Sequence, residues 1–115
     1  MIETPVLSPT EAFCATSRLR YSVVGAGERG VVLLHGWGDT KEIWHATCAV
    51  LSLRARVFAP DLPGHGGSPL DGTERMQQVA ERVATFGTAH GLTSVARGGR
   101  EARVEKRLLL PASFV

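Results

Sequence analysis

Val31-Val32-Leu33-Leu34 runs straight into His35-Gly36-Trp37-Gly38. Four consecutive apolar residues without period-2 alternation suit a strand covered on both faces, which is the condition of a parallel sheet. The stop at His-Gly reads as a tight turn delivered to the rim of that sheet. The pattern then repeats. Arg56-Val57-Phe58-Ala59-Pro60-Asp61 is a short apolar strand, followed by Leu62-Pro63-Gly64-His65-Gly66-Gly67-Ser68, a loop rich in glycine. Both loops belong at the carboxyl ends of neighbouring strands, where open α/β sheets place their chemistry.

The rest of the chain fits around these two units. Leu19-Arg20-Tyr21-Ser22-Val23-Val24 alternates like a half-exposed strand, and residues 25–30 turn it back, hairpin fashion, into Val31–Leu34. From Thr40, residues Ile43, Trp44, Thr47, Val50 and Leu51 recur at helical spacing, with Asp39 or Thr40 able to cap the amino end. Thr73 precedes Met76, Val79, Ala80, Val83, Phe86 and Gly87, the clearest amphipathic helix, which ends near His90-Gly91. Leu92–Ala96 opens another strand. Strand and helix in alternation predict an α/β fold with right-handed crossovers. Residues 1–18 show no period and read as a loosely attached leader.

A chain of 115 residues holds at most one domain. Its 43% hydrophobic content and net charge of +2 describe an ordinary globular protein. No apolar run approaches the roughly 18 residues of a membrane span. The start, Met1-Ile2-Glu3-Thr4-Pro5, lacks the basic and apolar regions of a signal peptide. Cys14 and Cys48 have no metal-ligand spacing and read as free thiols, so the expected location is cytoplasmic. Residues 91–115 carry five basic side chains (Arg97, Arg100, Arg103, Lys106, Arg107) against Glu101 and Glu105. Five charges broken by acids do not make a nucleic-acid surface.

Gly25, Gly27 and Gly30 match the spacing of a dinucleotide fingerprint, but that motif needs a helix at its third glycine, and Gly30 opens a strand. His45 and His90 read as solvated. His65 reads as a surface-loop residue, with the mouth of a pocket as the alternative. Four histidines without local carboxylate or cysteine partners imply no metal site. Ser68 sits in Gly66-Gly67-Ser68-Pro69-Leu70, which lacks the second glycine of a nucleophile turn and precedes no helix there.

The two loops, their spacing and Trp44 between them resemble the amino-terminal third of an α/β-hydrolase-fold enzyme of the esterase, lipase and carbon–carbon hydrolase type. The resemblance covers about residues 19–95. It implies a partial, mostly parallel sheet flanked by helices. It also implies an ancestral serine hydrolase acting on small esters, thioesters or carbon–carbon bonds, with a small-molecule acyl substrate and no cofactor or metal. In that pattern the backbone N–H of Trp37 is one half of an oxyanion hole, while His35, Gly36 and Gly38 shape its loop. Asp61, Gly64, Gly66 and Ser68 shape the second loop, and Asp61 is not the triad acid, which follows the serine in chain order. Haloperoxidases, dehalogenases and epoxide hydrolases share both loops, so the reaction class rests on resemblance alone.

The pattern breaks where the nucleophile is due. In the family the strand opened by Val95 runs into Gly-x-Ser-x-Gly, with the serine on a strained strand-to-helix elbow. Here the chain reads Val95-Ala96-Arg97-Gly98-Gly99-Arg100, and no Gly-x-Ser-x-Gly occurs anywhere. A central strand carrying Arg97 and Arg100 would bury unpaired charge at high cost. The expectation is therefore an aborted strand, with Val31–Leu34 left as an exposed edge open to self-association and a poorly soluble or partly molten product. Residues 96–115 are expected to be a basic tail outside the family pattern, with disorder one expectation for them. Two origins fit: a truncation or frameshift near residue 96 in a hydrolase gene, or a small non-catalytic interaction protein that docks through Arg97–Arg107.

Overall fold

Strand β3 (Gly30–Leu34) is buried along its whole length and lies at the centre of the sheet. A computed structural model describes residues 8–72, 75–92, 94–97 and 100–103. In chain order the other elements are β1 (Thr10–Cys14), β2 (Leu19–Val24), α1 (His45–Leu51), β4 (Arg56–Pro60), α2 (Met76–Ala89), β5 (Ser94–Arg97) and β6 (Arg100–Arg103). The six strands form one sheet in the order β1-β2-β4-β3-β5-β6. β4, β3 and β5 run parallel, and the outer pairings β1–β2, β2–β4 and β5–β6 are antiparallel. The result is an α/β sheet, parallel at its centre and mixed as a whole.

Successive side chains of β3 point to opposite faces, and each face has its own core. Val32 and Leu34 pack with Phe58 of β4 and with Val79, Val83 and Phe86 of α2. Val31 and Leu33 pack with Val57, Ala59 and Cys48, against which Trp44 and Leu51 lie. A helix on each side explains why β3 needs no polar residue. The chain goes from β3 to β4 by way of α1, then from β4 to β5 by way of α2, so β3 is where the winding reverses. Loops at the carboxyl ends of strands diverge at such a point and leave a crevice.

Helix α2 has the predicted amphipathic face, with Val79, Ala80, Val83, Phe86 and Gly87 buried. At its start the Gln78 side-chain oxygen accepts the backbone N–H of Arg75 at 3.0 Å. It ends in a Schellman motif: Leu92 N–H reaches Gly87 O at 3.0 Å and Gly91 N–H reaches Thr88 O at 3.3 Å. Gly91 takes φ +63° there, a conformation that costs glycine nothing. Thr73, the predicted start, lies outside the described residues.

Several expectations need correction. Residues 10–14 of the supposed leader form β1, pairing with β2 from Thr10–Val23 to Cys14–Leu19. Only Cys14 of its five residues is buried, so this edge strand lacks the apolar pattern that would reveal it. The hairpin is thus β1–β2, because β4 is inserted between β2 and β3. Residues 41–44 form a 3₁₀ turn before α1, which shifts the helix face. Cys48 is consequently buried, while Ile43 and Val50 are 57% and 67% exposed. Thr40 occupies the cap position of that turn with no side-chain cap bond. His90, expected to be solvated, packs among Tyr21, Phe58 and Phe86 and bonds the Phe86 carbonyl at 3.0 Å.

The largest correction concerns the strand after α2. β5 forms, and pairs in parallel with β3 from Val31–Ser94 to Leu34–Arg97. β3 is therefore not an edge. β5 is only four residues long and places Arg97 at its last position, so the strand ends before Arg100. The chain then returns as β6, with Arg100 opposite Arg97. Among the described residues the outer strands are β1 and β6.

Candidate active site

Two loops meet above the carboxyl ends of β3 and β4. The first, residues 35–40, leaves β3; the second, residues 61–68, leaves β4. Three hydrogen bonds and an ion pair, two of these contacts made by Lys41 just after the first loop, fix their relative position. Leu62 N–H donates to His35 Nε2 at 2.9 Å, and Gly38 N–H donates to His65 Nε2 at 2.9 Å. Lys41 N–H donates to Asp61 Oδ1 at 2.8 Å, and the Lys41 ammonium lies 3.5 Å from Asp61 Oδ2.

His35 is buried directly under the first turn. With Nε2 accepting from Leu62, its proton must sit on Nδ1, which donates to the Gly36 carbonyl at 2.7 Å. Burial, then the neighbouring His65, push its pKa below the ordinary 6.5, against the opposing pull of the Gly36 carbonyl and the carboxylates of Asp61 and Asp39. His35 is therefore a neutral, fully bonded imidazole, without a free lone pair for taking a proton from a substrate.

Gly36 O also accepts Asp39 N–H at 3.1 Å, which closes the turn around Trp37. Trp37 stands at its apex, 64% exposed, with its ring edge-on to His65 at 4.7 Å. Among the described residues no group accepts its backbone N–H. A fixed, unpartnered N–H at the carboxyl end of a central parallel strand is a ready donor for a negative oxygen.

Asp61 organises the second loop from inside. It is 0% exposed; Oδ2 accepts Gly67 N–H at 3.0 Å, and its carbonyl accepts the Ser68 hydroxyl at 2.6 Å. Gly66, at φ +50°, passes so close that a Cβ there would sit 2.3 Å from Asp61 Oδ2. Gly64 N–H bonds the Ser68 carbonyl at 3.0 Å, closing the loop on itself. Ser68 is buried and its hydroxyl is used twice, donating to Asp61 and accepting Arg20 N–H at 2.9 Å. It has no path to a substrate.

The two loops thus bring together all eight residues singled out from the sequence: His35, Gly36, Trp37 and Gly38 on one side, Asp61, Gly64, Gly66 and Ser68 on the other. Three further residues were missed. His65 joins the loops, and Gly-His-Gly opposite a second His-Gly was the only signal for it. Lys41 is a buried cation held by Glu11 at 3.1 Å, Glu42 at 2.9 Å and Asp61. Burial opposes its charge, but hydrogen bonds to Glu42 and Glu11 and the charge of Asp61 outweigh it and hold its pKa above the ordinary lysine value. Arg82 of α2 reaches four backbone carbonyls: Ser17, Arg18, Pro69 and Leu70. It ties the exit of the second loop to the β1–β2 turn, and nothing in a helical pattern distinguishes it from a solvated arginine.

A cavity of about 60 Å³ lies beside Lys41, lined by Pro9, Glu11, Ser22, Lys41, Glu42, His45 and Cys48. It includes no residue of the turn around Trp37. No group of three or more His, Cys, Asp or Glu side chains among the described residues is placed to hold a metal ion.

Comparison with known proteins defines the class. The family model described as "Alpha/beta hydrolase family" matches residues 31–104. The chain belongs to the alpha/beta hydrolase family, of which it carries the amino-terminal part. The match passes Val95 and takes in β5 and β6.

Among curated proteins, the pimeloyl-[acyl-carrier protein] methyl ester esterase of Edwardsiella ictaluri (strain 93-146) is 40% identical over 67 residues. The esterase of that name in Sodalis glossinidius (strain morsitans) is 39% identical over 67 residues. Each match covers 58% of this chain but 26% of the esterase, so the chain spans about a quarter of the length of these relatives. Among solved structures, the epoxide hydrolase CorEH superposes with TM-score 0.62 at 29% identity, covering 79% of this chain and 32% of that one. Cfl2 of Burkholderia cenocepacia superposes with TM-score 0.63 at 26% identity, covering 82% and 36%.

Proposed function

We propose that this chain carries the oxyanion-binding half of an acyl-ester hydrolase site and, lacking the nucleophile, does not itself turn over esters. The observation that supports the first half is the Trp37 N–H, which no described residue accepts, held at the rim of the central strand by the bonds between the loops. Acyl transfer needs such a donor where the carbonyl oxygen becomes negative, and one donor is worth about 10²–10³ in rate, or about 2.7–4 kcal/mol. The second half rests on chemistry that the residues do not supply. The sequence has no Gly-x-Ser-x-Gly, Ser68 is buried with both hydrogen-bonding roles taken, and β5 leads into β6 instead of a strand-to-helix elbow. The second oxyanion donor, the N–H after the nucleophile, is missing with it.

The substrate class that fits is a small acyl ester, in keeping with relatives named as methyl ester esterases. A cytoplasmic home is part of the same proposal, supported by two free, buried cysteines; no helix among the described residues is long and apolar enough to cross a membrane. The outer strand β6 offers a route to self-association by strand pairing.

The test of the oxyanion assignment is a chimera in which residues 19–95 replace the matching segment of the Edwardsiella ictaluri esterase. It should hydrolyse its methyl ester. Trp37→Pro, which removes the N–H, should lower kcat about 10²–10³-fold, whereas Trp37→Ala, which keeps it, should cost far less. Equal losses in the two variants would refute the assignment.

A further inference from the structure

We propose that His35 and His65 form a proton-operated clasp: as neutral imidazoles they tie the Trp37 loop to the second loop, and on protonation they release it. The two hydrogen bonds are reciprocal. His35, on the first loop, takes an N–H from Leu62 of the second, and His65, on the second, takes an N–H from Gly38 of the first, each at 2.9 Å. Both accept through Nε2, and both place Nδ1 against a carbonyl, Gly36 O at 2.7 Å for His35 and Pro63 O at 3.0 Å for His65. An imidazole so bonded is specified as the Nδ1–H tautomer. A proton added at Nε2 would set N–H against N–H and abolish the bond, because a protonated histidine has no acceptor left.

The surroundings set how the pair responds. The rings are tilted with centroids 5.1 Å apart, so a charge on one disfavours a charge on the other. Asp39 from the first loop and Asp61 from the end of β4 pull His35 toward its charged form, but burial and His65 outweigh them. The charge of Asp61 is itself engaged by the Lys41 ammonium. Proton uptake at His35 is thus resisted while the loops are closed and favoured once they part, which makes the clasp two-state. Gly38 is the residue after Trp37, so losing its bond frees the peptide that aims the Trp37 N–H. The consequence for acyl chemistry rests on the oxyanion reading above; the clasp itself does not.

The experiment uses the full ¹⁵N-labelled chain and needs no substrate. Amide hydrogen-exchange protection is followed from pH 7.5 to 5.0, corrected for intrinsic exchange, with imidazole ¹⁵N shifts reporting the tautomers. Both rings should be Nδ1–H at pH 7.5. Protection at Gly38 and Leu62 should fall at least tenfold as the imidazole shifts report protonation, while that of Val32 and Phe86 holds. His65→Gln offers an acceptor that does not titrate; it should flatten the pH dependence at Gly38 and leave that at Leu62. The proposal fails if Gly38 and Leu62 stay protected while the imidazoles titrate, if either ring is Nε2–H at pH 7.5, or if the core amides lose protection in step. The wild-type titration decides alone if the variant does not fold. A failed Trp37→Pro comparison in the chimera, with these shifts intact, would overturn the oxyanion reading and spare the clasp.

Discussion

The carboxyl ends of β3 and β5 lie side by side, and the chain leaves them in different ways. Beyond β3, the turn around Trp37 is tied to the loop after β4 by two imidazoles, a buried carboxylate and a lysine backbone N–H. Beyond β5, the chain passes Gly98-Gly99 and returns as a four-residue antiparallel strand. An oxyanion loop and a nucleophile elbow are the two halves of a serine hydrolase site, and adjacent strand ends are where they would have to meet. Among the described residues, the loop after β3, proposed above as the oxyanion half, has such supporting hydrogen bonds. The comparison separates what a sheet end needs to bind an anionic oxygen, which is fixed backbone donors, from what it needs to do covalent chemistry, which is a strained side chain with a base beside it.

If the Trp37 side is the better-built region, damage there should cost most. Asp61→Ala removes one of three carboxylates around the buried Lys41 and the buried acceptor of two backbone N–H groups, so urea denaturation should show a loss of about 3–5 kcal/mol. A domain with an ordinary 5–15 kcal/mol would be left near its limit. Arg82→Met leaves the buried Ser17 carbonyl without its donor and removes the part-buried bonds to Arg18, Pro69 and Leu70, and should cost about 1–3 kcal/mol in the same assay. Gly66→Ala forces a Cβ at φ +50° against Asp61 and should cost about 1–3 kcal/mol. On the β5–β6 side, Ala102→Gly should cost only about 0.5–1 kcal/mol, the backbone penalty of a paired strand position. An Ala102→Gly loss equal to that of Asp61→Ala would erase the comparison.

Acid sharpens it further. The folded pKa of His35 is depressed, so the fold favours its neutral form. Stability is then fully present above the unfolded value near 6.5 and is lost as pH falls from there toward the folded pKa, because the unfolded chain takes up the proton first. The urea midpoint should hold steady between pH 8 and 7 and decline below 6.5, and the decline should shrink in His35→Gln.

Legibility in the sequence followed the strength of local pattern. Val31–Leu34, Val57–Ala59 and the Val79–Phe86 stripe announced themselves because burial there is unbroken or strictly periodic. The glycine loops were readable because few residues tolerate such turns. β1 was not, since an edge strand of Thr, Glu, Ala, Phe and Cys carries almost no burial signal. β5 and β6 were obscured by charge: the arginines outweighed Gly98-Gly99, a two-residue hairpin signal flanked by short strands. His65, Lys41 and Arg82 each depend on at least one partner 20 or more residues away. No window of sequence displays that kind of contact.

The most direct measurement is intact-mass analysis of the purified chain after exposure to a fluorophosphonate, run beside hydrolysis of a short p-nitrophenyl ester. The account predicts an unmodified mass and no turnover above the buffer rate, since the sequence has no Gly-x-Ser-x-Gly and Ser68 is buried with its hydroxyl engaged. A stoichiometric single adduct, at Ser68 or any other serine, would contradict it and restore this chain to the working hydrolases.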